Sequence, residues 1–152
     1  MRCQKTLNIQ KTKGGFMSDA QLQVTNLSAW YGQAQALFDV SLSVDAGELV
    51  VLQGLNGAGK SSLLQSLIGI GPRVSGQINW AGQPIAGWPA HRRAQAGLGF
   101  VAEDRRLFTG LSVRENLWIA ARGESKAAMA QQLERVLTLF PVLGQLLNRP
   151  AS

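Results

Sequence analysis

The sequence predicts an α/β fold organised around one phosphate-binding loop, and three observations carry that prediction. The first is Gly54-Leu55-Asn56-Gly57-Ala58-Gly59-Lys60-Ser61-Ser62, which leaves the apolar run Leu49-Val50-Val51-Leu52 directly. Its glycine, four-residue gap and Gly-Lys-Ser are the spacing of a loop that cradles phosphates between a strand and a helix. The second is the apolar spacing after it, Leu63, Leu64, Leu67 and Ile68, as in a helix packed on one side. The third lies upstream. Leu22, Val24 and Leu27 alternate with polar residues, and so do Leu37, Val40, Leu42 and Val44, so an antiparallel pair precedes the loop strand.

The residue types of the loop follow from its chemistry. Glycines let the backbone curl until successive N–H groups converge on phosphate oxygens, at a helix N-terminus whose dipole favours an anion. Lys60 is the mobile cation expected at the β and γ phosphates. The Ser61 hydroxyl is the expected Mg2+ ligand, and Ser62 is expected to donate to the α phosphate. The expected ligand is therefore a nucleoside triphosphate with Mg2+.

Bulk composition narrows the alternatives. The chain of 152 residues is 45% hydrophobic and 16% charged, enough for one packed core. Its net charge of +6 is concentrated at the start: Arg2, Lys5, Lys11 and Lys13 lie in the first sixteen residues, where no acid occurs. The rest holds eleven basic and nine acidic residues, a balance of +2, with the pairs Arg92-Arg93 and Arg105-Arg106 among scattered charges. No nucleic-acid footprint emerges. Cys3 is the only cysteine and His91 the only histidine, so neither a disulfide framework nor a thiolate or multi-histidine metal site is expected. His91 reads as an exposed helix residue. No apolar run is long enough to cross a bilayer, and the basic N-terminus lacks the hydrophobic core of a secretory signal. The expected location is the cytoplasm.

Residues 1–16 are polar, basic and aperiodic, and end in Lys13-Gly14-Gly15-Phe16 before Met17. Lys-Gly-Gly is what a purine-rich ribosome-binding site can spell when read as codons. Met17 is therefore the expected natural start, with 1–16 a misassigned leader; a short disordered arm is the alternative. Residues 17–152 form the domain. The two upstream strands meet at Ala29-Trp30-Tyr31-Gly32, and Asp45-Ala46-Gly47 turns into the loop strand. After the helix, Gly69, Gly71 and Pro72 break the chain. Ser75 to Trp80 reads as a strand turning at Ala81-Gly82, with Trp80 and Trp88 as sheet cover. Pro89 to Gln95 reads as a short helix ended by Gly97. Leu98-Gly99-Phe100-Val101-Ala102 has the look of a buried strand, running into the charged loop Glu103-Asp104-Arg105-Arg106-Leu107-Phe108. Ser112 and Glu115 form a capping box for a helix with Val113, Leu117 and Ala120 on one face, ending near Gly123. A longer helix carries Met129, Leu133, Val136, Leu137 and Phe140 as its core stripe and stops at Pro141.

From Val24 onward the chain resembles the ATP-binding subunit of an ABC transporter, of the type that imports branched-chain amino acids, urea or short amides. Ser28-Ala29-Trp30-Tyr31-Gly32 is similar to the A-loop, in which Tyr31 would stack on adenine; Trp30 beside it could compete. Gly54 to Ser62 resembles Walker A, including its Asn56-Gly57-Ala58-Gly59 core. Phe100 to Phe108 falls where the Q-loop should be, with Glu103 in place of the usual glutamine. A carboxylate there keeps an oxygen for Mg2+ and adds a charge. Leu111-Ser112-Val113-Arg114-Glu115-Asn116-Leu117 resembles the segment that follows the Q-loop. The resemblance implies ATP and Mg2+ as ligands, and a second ATP-binding subunit as partner, in a homodimer or heterodimer. It also implies transmembrane permease subunits, indirectly a periplasmic solute-binding protein, and a peripheral place on the inner face of the membrane.

The same family continues with a Leu-Ser-Gly-Gly-x-Gln signature, a Walker B strand ending in two acids, and a switch histidine. None occurs in these residues. Glu103-Asp104 is the only acidic pair and lies in Q-loop context, so it does not serve as Walker B. The expectation is an N-terminal part of the domain, comprising the antiparallel β subdomain, part of the central sheet and the start of the helical subdomain. It would bind nucleotide without turning it over, and exposed sheet edges would make it aggregation-prone. Two alternatives stand beside this: a non-catalytic truncated remnant, and a stand-alone P-loop kinase. The hairpin before the loop counts against the second.

Overall fold

The computed structural model of the chain describes residues 8–12, 20–104, 106–121 and 124–152. Cys3, the Gly14-Gly15 leader end, Met17, Arg105 and Gly123 lie outside the described residues. The chain divides into two units, Met1–Phe100 and Val101–Ser152.

The first unit is built from strands. The order along the chain is β1 (Asn8–Thr12), β2 (Ala20–Tyr31), β3 (Ala34–Asp45), β4 (Leu49–Gln53), helix α1 (Lys60–Ile68), β5 (Arg73–Trp80), β6 (Gln83–Pro84) and helix α2 (Ala90–Gln95). The long hairpin β2–β3 forms where alternation predicts it, and its tight turn uses Gly32 at φ 59. β5 joins the other edge of β2, and β6 pairs with β5, giving an antiparallel sheet in the order β3-β2-β5-β6. β2 is not regular. Its register to β5 slips between Thr25 and Ser28, around Asn26 at φ 49, the mark of a bulge. Buried Ser28 fastens it: its hydroxyl accepts from the Asp39 amide at 3.0 Å and donates to the Asp39 carboxylate at 3.2 Å. Opposite the bulge, Gly76 has φ 110, and a Cβ there would stand 2.4 Å from the Asn26 carbonyl oxygen. Only glycine fits so close a backbone approach.

The core lies between this sheet and α1. Val24, Leu27 and Ala29 of β2, Leu37 of β3, Ile78 of β5, Leu63 of α1 and Ile85 are all buried together. Trp80 and Trp88 pack against that cluster, as sheet cover should. The phosphate-loop strand β4 stands outside the four-stranded sheet and pairs with β1, Ile9 opposite Leu52 and Gln10 opposite Val51. Residues 8–12, within the stretch read as a leader, thus form a strand.

One expected element is corrected. Leu98 to Ala102 forms no strand; Leu98 packs against the core, but Val101 is 92% exposed. A strand exists through its ladder, and none of the described strands pairs with this segment.

The second unit consists of helices α3 (Val113–Ala120), α4 (Lys126–Leu139) and the short α5 (Leu143–Leu146), which no sequence signal marks. The expected capping box is formed: Glu115 N donates to the Ser112 hydroxyl, and Ser112 N donates to Glu115 Oε2 at 2.8 Å. The chain's end returns to this cap, with Val113 N donating to Arg149 O and Ala151 N to Leu111 O. Met129, Leu133, Val136 and Leu137 are half-buried along one face of α4, whereas Phe140, read as part of that stripe, is exposed. Among the described residues no helix is long and apolar enough to cross a membrane.

Candidate nucleotide-binding site

Tyr31 and all nine residues from Gly54 to Ser62 belong to the first unit. The loop leaves β4 at Gly54 and tightens at Gly57 and Gly59, whose φ values of 79 and 97 are left-handed. The Ala58 amide donates to Leu55 O at 3.0 Å and closes the curl, burying the Ala58 methyl. Gly59 is the N-cap of α1 and supplies no side-chain cap. The first helical bond of α1 is Leu63 N to Gly59 O, 2.8 Å. The amides of Lys60, Ser61 and Ser62 therefore belong to the open first turn, where a helix has no carbonyls to offer them.

The Lys60 ammonium arches back over this opening, donating to Gly54 O at 2.8 Å and Leu55 O at 3.0 Å. An ammonium, a row of backbone N–H groups and a positive helix end make a donor set without an acid. That chemistry fits the oxygens of a polyphosphate. Ser61 is exposed on the first turn, while Ser62 is half-buried and its carbonyl accepts from the Ser66 hydroxyl at 2.7 Å. Among the described residues no three acids, histidines or cysteines converge as a metal cage. A Mg2+ held by the Ser61 hydroxyl and phosphate oxygens needs no such cage.

Tyr31 closes β2 beside this helix. Its hydroxyl donates to Gln65 Oε1 at 2.7 Å, one turn beyond the phosphate loop, and the residue stays 46% exposed. Trp30 faces elsewhere: it pairs in register with Arg73, whose guanidinium carbon lies 4.9 Å from the indole centroid. The tertiary structure thus separates two adjacent aromatics that the sequence left as competitors.

Glu103 belongs to the second unit. It is exposed in a turn, and its carboxylate has no hydrogen-bond partner among the described residues. The loop is held by its neighbour: both Asp104 carboxylate oxygens accept from Arg106 Nε at 3.1 Å. Farther along, Asn116 latches Phe108, accepting from its amide at 2.9 Å and donating to its carbonyl at 3.0 Å. Asn116 stood in the recognised segment, but nothing in its spacing announced this role.

Arg93 was missed altogether. Counted in the sequence among scattered charges, it is buried, and its guanidinium donates to four main-chain carbonyls, at Ser66, Leu67, Ala86 and Trp88. Burial lowers its pKa from the ordinary arginine value. Arg92 lies outside, over the Trp88 ring at 4.0 Å. The available signal was helical: Arg93 follows half-buried Ala90 by three residues, on one face of α2.

Comparison with known proteins adds the family. A sequence profile described as ABC transporter matches residues 37–151. The high-affinity branched-chain amino acid transport ATP-binding protein BraG of Pseudomonas aeruginosa is 41% identical over 124 residues, 82% of this chain and 53% of its own length. The probable branched-chain amino acid transport ATP-binding protein LivF of Archaeoglobus fulgidus is 33% identical, over 86% of this chain and 56% of its own. The lipopolysaccharide export system ATP-binding protein LptB of Escherichia coli is 35% identical, over 80% and 50%. Among solved structures, the ATP-binding subunit of an ABC transporter superposes with TM-score 0.65 at 30% identity, covering 86% of this chain and 54% of that one. CbiO1 of Clostridium perfringens, part of the transporter complex CbiONQ, gives 0.65 at 26% identity, over 88% and 55%. The chain spans about half the length of the curated relatives it matches.

Proposed function

This chain belongs to the ABC transporter family, and we propose that it is the nucleotide-binding part of an ATP-binding subunit that powers import of branched-chain amino acids or related amides. The observation that carries the proposal is the loop from Gly54 to Ser62, with its open helix end and Lys60 arched over it. In this reading the loop amides and Lys60 hold the phosphates, Ser61 holds Mg2+, and Tyr31 offers its exposed ring to adenine. Glu103 would contribute the Q-loop oxygen to the metal. The names of BraG and LivF favour branched-chain amino acids as the solute class, whereas LptB, at lower identity than BraG, serves an export system.

The whole subunit would act as a pair, each copy's signature segment closing the other's phosphate site, docked on permease subunits at the inner face of the membrane. A periplasmic binding protein would deliver the solute. The residues present bind nucleotide in this reading but lack a base after Walker B to polarise water, so the chain alone is expected to show no ATP turnover. A second reading is a non-catalytic remnant. Among the described residues nothing favours a stand-alone kinase. DNA downstream of Ser152 separates the first two: codons for Leu-Ser-Gly-Gly and a Walker B strand, in any frame, identify a broken or partial transporter gene.

The site itself is tested by equilibrium binding of Mg-ATP. Removing one charged donor to phosphate costs roughly 1.5–3 kcal/mol, so Lys60→Ala is expected to weaken binding by about tenfold to a hundredfold. Unchanged affinity in that variant would overturn the assignment.

A further inference from the structure

Arg93 is buried without a carboxylate partner among the described residues, and its hydrogen bonds divide between two segments. Nη1 donates to Ser66 O and Leu67 O, both at 2.8 Å, in the last turn of α1. Nη2 donates to Ala86 O at 2.7 Å and Nε to Trp88 O at 3.0 Å, in the turn that leads into α2. A guanidinium without a carboxylate is a costly way to fill a core, but its planar fork fixes the geometry of what it bridges. The acceptors on α1 lie in its last turn, where carbonyls run short of helical donors and the dipole favours a cation; Ser66 O also accepts from the Gly69 amide at 3.3 Å. Gly69, the C-cap of α1 at φ 79, leaves room for the fork: a Cβ there would lie 3.0 Å from Arg93 Nε.

The other end of the same helix is the phosphate loop. α1 has nine residues, about 13 Å at the usual rise, so whatever fixes its C-terminal turn also sets the direction of its first turn. We infer that Arg93 is a positioning residue for nucleotide binding: by clamping the last carbonyls of α1 to residues 86–88, it aims the helix end that carries Lys60 and Ser61. Tyr31 adds a second attachment to the same helix through Gln65. The inference rests on the nucleotide-binding reading of the loop.

The experiment uses the full chain with Arg93→Met, which removes all donors, Arg93→Lys, which keeps the charge on one nitrogen, and Gly69→Ala, which crowds the fork. Two quantities are read well below each melting midpoint: amide shifts of Gly57, Gly59 and Lys60 without ligand, and Mg-ATP affinity. Misplacing a binding group by a fraction of an ångström is costly, so Arg93→Met is expected to lose about tenfold in affinity. Arg93→Lys should recover part of that loss, and all three variants should shift the loop amides. Should Arg93→Met not fold, the other two variants carry the test. Loop amides that stay in place, with affinity within about twofold of the parent while only the melting temperature falls, would show a mere staple and overturn the inference. Lys60→Ala is the separate control: if it leaves binding unchanged, the nucleotide site fails, while the amide shifts still decide whether Arg93 aims the loop.

Discussion

The two units of this protein solve the same packing problem with unequal success. In Met1–Phe100 a bulged antiparallel sheet and one helix seal a core in which Leu27, Leu63 and Ile85 have no exposed surface at all. In Val101–Ser152 the most deeply buried apolar residues are Ala121 and Leu147, each still 8% exposed, and Phe108, Phe140 and Val142 face outward. Strands tied in a ladder shut out water on one whole face, which a single helix can then cover. The three helices of the second unit bury less apolar surface, and polar fastenings accompany them: the Ser112–Glu115 box, the Asn116 latch and the returning chain end. Stability in the first unit should therefore come from apolar burial, and in the second from hydrogen-bonded caps.

The largest test of that contrast is a matched pair. Leu63→Ala empties a sealed site and is expected to cost about 2–5 kcal/mol, whereas Leu137→Ala, on a half-covered face, should cost well under half as much. Equal losses in chemical denaturation would break the comparison. Next is Gly76→Ala, whose methyl meets backbone that cannot step aside; a loss of more than about 1 kcal/mol is expected, seen as a lower unfolding midpoint. A neutral result would mean that the bulge relaxes. A chain begun at Met17 lacks β1 and should show faster amide exchange at Val50 to Leu52, with little change in β2 or β5. Unaltered exchange along β4 would show that β1 contributes nothing to that edge.

The smallest effect concerns acid. Hydrogen bonds from the Ser112 hydroxyl, then from its amide, hold the Glu115 pKa below the ordinary value of 4.5. The fold favours the ionised carboxylate, so the cap's contribution is complete above the ordinary value and disappears as pH falls through the depressed one. The Ser112 amide shift should titrate with a midpoint below 4.5, and Glu115→Gln should abolish that titration. A midpoint at or above 4.5 would mean that the box is open in solution.

Much of the site was legible because its chemistry is local. A phosphate loop is nine consecutive residues between a strand and a helix, and its glycines and lysine carry the mechanism whatever surrounds them. The hairpin turns at Gly32 and Gly82 and the cap at Ser112 are local in the same sense. What failed was non-local. Leu98 to Ala102 has the composition of a strand, but strand identity depends on a neighbour that composition does not name. Phe140 fits the helical period yet closes its helix in the open, since period states which face a residue shares and not what covers it.

Tertiary contact also distinguished residues that the sequence left alike. Trp30 and Tyr31 are equivalent on paper; Arg73 on one side and Gln65 on the other distinguish them. Arg93 read as one charge among several until four carbonyls, from residues up to 27 positions away, closed around it. Sequence alone was sufficient for the family, the loop and the elements from β2 to α1, because spacing and period follow from covalent connectivity. The orientation of the helix behind that loop depends on hydrogen bonds between distant segments, and only folding brings those together.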